Sequence, residues 1–532
     1  MRRLLLFQLF SFSAFQLFAA NVYVGPSTTG SGSGADWSNL KAWANVTSFT
    51  RGNVYYLRDS DGTQYPDGAD FATANSSTTT IIIRKATASD HGTETGWTSS
   101  MGDGQAYFEG AWDFGSGYWI IDGGWRNEQN WGDKTAYGIC VTNNGTTCAY
   151  ANPTTCRNLW FTNVTFLGNP NDPPDPPQGW RNFYITSWGE GAGDMPDCVW
   201  SKCLFKNGVN QLYAEAANVD NALVEYCYFD TTKNSDGNHG ESINLSTGGA
   251  GGWIIRWNVW TNCVGTSVIA MNNNDGIEVY GNLFINGYGA NGVFGYASDT
   301  GSDNNKFYNN TVVGDAANGG VVLGGTGNTA YNNLFVGNNS ETISGTHDYN
   351  AFSGAGLSEA NQQTSVATSI FVDYSGRDLR LASNTTGGTD LGAPYNVDIK
   401  GNTRTTWSRG ALEYQSEEAD ETPPEVAAFV VPSTSTSLTV AILIFTATDA
   451  VSVTGYLVSE SVSTPQVDDE DWSGSAQTQY VFASAGSKTL YAWAKDAAGN
   501  ISSSLSDGVV ITLPTVTVMT TTNLKASTLK LR

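Results

Sequence analysis

A short phrase recurs between residues 163 and 335, and it restricts the chain to a stack of repeated units. It reads Asn163-Val164-Thr165-Phe166, Lys202-Cys203-Leu204-Phe205, Tyr226-Cys227-Tyr228-Phe229, Trp257-Asn258-Val259-Trp260, Gly281-Asn282-Leu283-Phe284, Asn309-Asn310-Thr311-Val312 and Asn332-Asn333-Leu334-Phe335. Successive copies lie roughly 23 to 39 residues apart, the period of supersecondary units that bury a core only by stacking on their neighbours.

Counting back from the last residue of each phrase, position −5 is Trp200, Val224, Ile255, Val279, Phe307 and Ala330, apolar throughout, as an inward strand position must be. Position −2 is Asn in Asn258, Asn282, Asn310 and Asn333, and Cys in the two units before them. Asn tolerates left-handed backbone, which suits a sharp corner between short strands. At position −4, Arg256 follows Glu225 by one coil and should pair with it, and Tyr280, Tyr308 and Tyr331 continue the column. A further short strand follows each phrase: Phe183-Tyr184-Ile185, Leu212-Tyr213-Ala214, Ile243-Asn244-Leu245, Val268-Ile269-Ala270, Val293-Phe294-Gly295 and Val321-Val322-Leu323. First and third residues are expected to point inward and the middle residue outward. With no helical period, the reading is all-β, and a parallel β-helix of roughly ten coils and about 50 Å fits it.

The Asn-x-aromatic corners and three short strands per coil resemble the right-handed parallel β-helix of the pectate-lyase-like superfamily. The stretch from Phe371-Val372-Asp373 through Arg404 to Gly410-Ala411-Leu412-Glu413-Tyr414 is similar to the terminal segment of secreted bacterial members. Val22-Tyr23-Val24 and Ile81-Ile82-Ile83 resemble their first coils. The resemblance covers about 21–415 and implies a fold shared by lyases, hydrolases, epimerases, tailspikes and adhesins, so fold does not choose the activity.

Arg2-Arg3 followed by the uncharged run Leu4 to Ala20 reads as a signal peptide over 1–20, which places the mature protein outside the cell, secreted or at the cell surface. Beyond an acidic, Pro-ended linker at 416–424, residues 425–513 alternate like strands. They resemble the Ig-like β-sandwich modules appended to secreted enzymes and adhesins; 514–532 is an unassigned tail. The chain carries 50 acidic against 26 basic residues, a formal charge of −24, which argues against nucleic acid and anionic membranes as partners. It also argues against a polyanionic substrate unassisted by cations; lyases of this fold use Ca2+ with Lys or Arg. Seven cysteines leave at least one unpaired. Cys203 and Cys227 should be neighbours in adjacent coils, close enough to bridge, and Cys148 and Cys156 flank a loop they could close.

The outward face of the third strand is where a glycan would lie in this superfamily. Coil by coil it reads Tyr184, Tyr213, Asn244, then Ile269 and Met271, then Phe294 and Tyr296, with Trp188 beside the first. Into it feeds Asn234-Ser235-Asp236-Gly237-Asn238-His239-Gly240-Glu241. Glu215, His239 and Glu241 are the expected catalytic groups: two carboxylates flanking a glycan bond and a histidine able to move a proton near neutrality. Tyr184, Tyr213, Asn244, Tyr296 and Trp188 are expected to bind the sugar. Asp236, with Glu241 and Glu215, supplies hard oxygen donors for a Ca2+ ion in the alternative role. The partner expected is a polysaccharide or other glycan. A polysaccharide lyase or glycoside hydrolase, a non-catalytic adhesin or glycan-binding protein, and a structural envelope protein all remain open.

Overall fold

The computed structural model describes residues 20–514, except residue 67 and the segments 144–146, 169–180, 187–193, 216–218, 233–239, 246–250, 287, 290–291, 297–298, 300, 315–319, 338–341, 416–421 and 450–451. The expected signal peptide, most of the linker and all but the first residue of the tail lie outside the described residues. Among the described residues no helix is long and apolar enough to cross a membrane.

The chain divides into two compact units, Met1–Gln415 and Ser416–Arg532. The first is a parallel β-helix whose coils each contribute a strand to three sheets of 13, 11 and 9 strands. Ten intervals of about 4.8 Å across the 11-stranded sheet give about 48 Å, the length expected from the repeats. The −5 residues Trp200, Val224, Ile255, Val279, Phe307 and Ala330 all lie fully buried in one continuous core. On its outer side Glu225 pairs with Arg256, Nη2 to Oε2 at 2.7 Å, and the column continues through Tyr280, Tyr308 and Tyr331.

The corner between the first two sheets differs from expectation in which residue makes the bend. The left-handed backbone falls at position −3, in Lys202 (φ 54°), Tyr226 (51°), Trp257 (55°), Asn309 (52°) and Asn332 (57°). The Asn at −2 instead points inward and stacks. Asn258, Asn282, Asn310 and Asn333 each pass their backbone N–H and side-chain Nδ2–H to the Oδ1 of the next Asn, at 2.9–3.1 Å. Asn350 extends the column, and Glu359 closes it by accepting from Asn350 N (2.9 Å) and Nδ2 (2.7 Å). A carboxylate there supplies the acceptor a further coil would have provided.

Cys203 and Cys227 are neighbours in that column: Cys203 N–H lies 3.4 Å from Cys227 Sγ, and Cys227 N–H donates to Asn258 Oδ1 at 2.8 Å. They are not bridged, nor are Cys148 and Cys156; all seven cysteines are free and buried. The thiols act as weak ladder elements, with Cys227 Sγ 3.4 Å from the Trp200 carbonyl.

The second unit is a small β-sandwich of two-, four- and two-stranded sheets around Phe429, Val440, Phe445, Leu490, Ala492, Val509 and Ile511. The run 438–444 forms parts of two strands: Thr439–Ala441 pairs with Gln479–Val481, and Ile444–Thr448 with Glu425–Val430, leaving Leu443 exposed between them.

Candidate functional site

The 9-stranded sheet carries the site, and its outer face is set by a bend at the start of each strand. Asn182 and Gln211 turn inward there and satisfy corner carbonyls: Asn182 Nδ2 donates to Phe166 O and Lys206 O, both 3.0 Å, and Gln211 Nε2 to Phe205 O (3.1 Å) and Asp230 O (2.8 Å). The residue just before each therefore faces out. Arg181 pairs in register with Asn210, and the Gln211 N–H donates to the Glu241 carbonyl, so Arg181, Asn210 and Glu241 form one row across three coils.

Three residues on runs a second row. Tyr150, Tyr184, Tyr213, Asn244 and Ala270 occupy one register position in consecutive coils, and Asp70 and Asp113 precede them in the same column. The rings of Tyr184 and Tyr213 stack on each other, 5.3 Å apart and 11° from parallel. The Arg181 guanidinium lies 4.1 Å from the Tyr184 ring centre and 4.7 Å from that of Tyr213. The tyrosine faces were expected to stack on sugar. Tyr184 and Tyr213 instead turn those faces on each other and on Arg181, an arrangement that draws on the ring quadrupole.

Glu241 differs from expectation as well. It is 2% exposed, and its Oε2 accepts from Asn210 Nδ2 at 2.7 Å and Asn244 Nδ2 at 3.1 Å. Expected in a solvent-facing groove, it is instead buried, just before the strand that begins at Ile243 and held by the Asn210 amide of the preceding coil and the Asn244 amide of its own. Glu215 ends the Tyr213 strand, its N–H donating to Ile185 O at 2.9 Å, and is half-buried. Glu215 and Glu241 thus lie at opposite ends of the strand that carries Tyr213. Charge links the group: burial pushes Arg181 below its ordinary value, while Tyr213, Glu215 and Tyr150 pull it back up. Burial raises the Tyr213 phenol, opposed by Arg181 and reinforced by Glu241.

His239, Asp236 and Trp188 lie outside the described residues. Tyr296 falls off the tyrosine column, because Ile269 pairs with Phe294 and so puts Gly295 at the outer position. The same register corrects the expected outward Ile269, Met271 and Phe294: Ile269 pairs with Ile243, and all three are fully buried. A one-residue slip moves a whole strand to the other face. Among the described residues no group of three or more His, Cys, Asp or Glu is arranged to hold a metal ion. Arg181 was missed as a site residue, although Arg181/Tyr184, Asn210/Tyr213 and Glu241/Asn244 share one three-residue spacing in successive coils.

No protein-family model matches the chain, and no curated protein matches it. Among solved structures it is similar to the pectate lyase Pel9A, with 14% identity and a TM-score of 0.47 over 74% of this chain and 96% of that one. A mannuronic acid specific polysaccharide family 6 lyase from human gut microbiota matches with 13% identity and a TM-score of 0.40, over 65% of this chain and 78% of that one. An alginate lyase from Paenibacillus sp. str. FPU-7 matches with 13% identity and a TM-score of 0.31, over 65% of this chain and 99% of that one. The likeness is one of chain path and carries nothing about activity.

Proposed function

We propose that this is an exported polysaccharide lyase that acts on uronate-containing glycan at the outer face of the 9-stranded sheet. The observation that carries the reading is the Arg181 guanidinium held over Tyr184 and Tyr213. Eliminating across a uronate requires its carboxylate to be neutralised while the neighbouring C5 proton leaves. A planar, permanently charged guanidinium fits that carboxylate and the negative charge that develops on it. Tyr213, its phenol raised, stays protonated and donates to the leaving glycosidic oxygen as the C4–O bond breaks. The C5 proton passes to Glu215, or to His239, and the C4–C5 double bond forms from the freed pair. Glu241 holds Asn210 and Asn244 by their NH2 groups, which fixes both amides.

A hydrolase needs two carboxylates meeting one glycosidic bond, and Glu241 is enclosed, which favours elimination. The test is product analysis on neutral and uronic polysaccharides, following the absorbance of the new double bond. Parent turnover is expected, with a loss of about 10²-fold or more in Arg181→Ala and little recovery in Arg181→Lys. Saturated products, or full activity in Arg181→Ala, overturn the proposal; binding without turnover moves the protein to the glycan-binding class.

A further inference from the structure

On the 11-stranded sheet, the segment 126–137 lies across the outer face. Gln105 Nε2 donates to the carbonyls of Lys134 and Tyr137, both at 2.7 Å, Thr165 Oγ1 to Lys134 O at 3.2 Å, and Lys206 Nζ to Gly132 O at 3.2 Å. Between this segment and the ends of two strands lies a cavity of about 480 Å³, lined by Asn130, Asp133, Lys134, Leu167, Lys206 and Asn207. That volume falls within the range of small-molecule sites.

Lys206, paired with the Asp230 carboxylate, shares the cavity wall with Lys134, two amides and one further carboxylate. That carboxylate, Asp133, is taken up by the N–H and Oγ1 of Thr135, both at 2.9 Å. Lys134 and Lys206 both line the cavity, as Asp133 does. Lys206 bonds to Asp230 and to Gly132 O, which leaves one of its three N–H donors for the cavity. Lys134 is exposed, and the buried Leu167 is among the lining residues.

We infer that this cavity is a second, non-catalytic binding site for an anionic saccharide of one or two units. Its carboxylate or sulfate meets Lys134 and Lys206, and its hydroxyls meet the Asn130 and Asn207 amides. The site stands apart from Arg181 and does not depend on the proposed reaction. Asn207 and Asn210 lie three residues apart, across the corner between the 11- and 9-stranded sheets.

The test is titration of the full chain, by protein NMR or calorimetry, with galacturonate, galactose 6-sulfate and neutral galactose as probes. Both anionic sugars are expected to bind and galactose not. Lys134→Glu should weaken binding tenfold or more, about the effect of losing one charge-assisted hydrogen bond. Asn207→Gly tolerates the same left-handed backbone (φ 60°) and should weaken it less while leaving the fold intact. The part of the binding that Lys134→Glu removes should persist in Arg181→Ala, which takes away only the uronate bound at the proposed catalytic face. Unaltered affinity in Lys134→Glu, equal binding of galactose, or loss of binding in Arg181→Ala in place of Lys134→Glu each overturns the assignment. Carboxylate binding without sulfate binding supports the site and narrows its ligand to uronic sugars.

Discussion

Removing one rung of the asparagine column should destabilise the β-helix by an amount readable from its bonds. Asn310 is fully buried; its Oδ1 accepts from Asn282 N and Asn282 Nδ2, both at 3.0 Å, and its Nδ2 donates to Val279 O at 2.9 Å and Asn333 Oδ1 at 3.1 Å. Asn310→Ala leaves two donors of Asn282 without an acceptor in a space that β-sheet closes to water. At about 1–3 kcal/mol for each buried unsatisfied group, the expected cost is about 2–6 kcal/mol. Asn310→Cys is the informative companion, because this column already uses Cys227, whose sulfur lies 3.4 Å from the Cys203 N–H and from the Trp200 carbonyl. A thiol keeps weak versions of both bonds, so the cost should fall between Ala and parent. The assay is urea unfolding of the full chain followed by far-ultraviolet circular dichroism, with the slope compared across variants to confirm that the same surface unfolds. An Ala variant within about 0.5 kcal/mol of parent refutes the argument, since that is the scatter of ordinary surface changes. A Cys variant as costly as Ala refutes the thiol's part in it, by showing that the sulfur forms no useful bond in the column.

Lys85 is fully buried, its Nζ donating to Ala86 O at 2.8 Å, and burial lowers it to about 8 from an ordinary 10.5. Between those values the unfolded chain binds the proton more readily than the folded one, so stability from this group should rise with pH across that window; Lys85→Met should flatten the rise in the urea midpoint. The seven cysteines should resist a thiol reagent in the native protein and all react after unfolding, because they are buried and burial raises the thiols of Cys148, Cys156, Cys198 and Cys263 to about 12; rapid native labelling contradicts this. Glu241→Gln should lower turnover less than about tenfold, since the side chain holds two amides; a loss of about 10²–10⁴ would mark it as a proton-transfer group after all.

The sequence by itself determined the inward column at −5 and the recurrence of Asn and Cys at −2, since both stand at fixed offsets from an aromatic and each coil repeats the same local demand; that the −2 side chains stack inward while the bend falls at −3 was decided by the bonds between coils. The Glu225–Arg256 pair was legible for the same reason: one offset, one coil apart. The outer face of the 9-stranded sheet was not. Val268-Ile269-Ala270-Met271 is apolar at every place, so no alternation fixes its register, and only pairing of Ile269 with Ile243 decided that Ala270 faces out. Arg181 escaped notice because its direction depends on the inward turn of Asn182, which is set by the carbonyls of Phe166 and Lys206 in two coils. The burial of Glu241 was equally out of reach, since two asparagines from neighbouring strands must first be brought to it. A repeat fixes what each coil does alike; the site sits where successive coils differ, and there tertiary contacts choose the face.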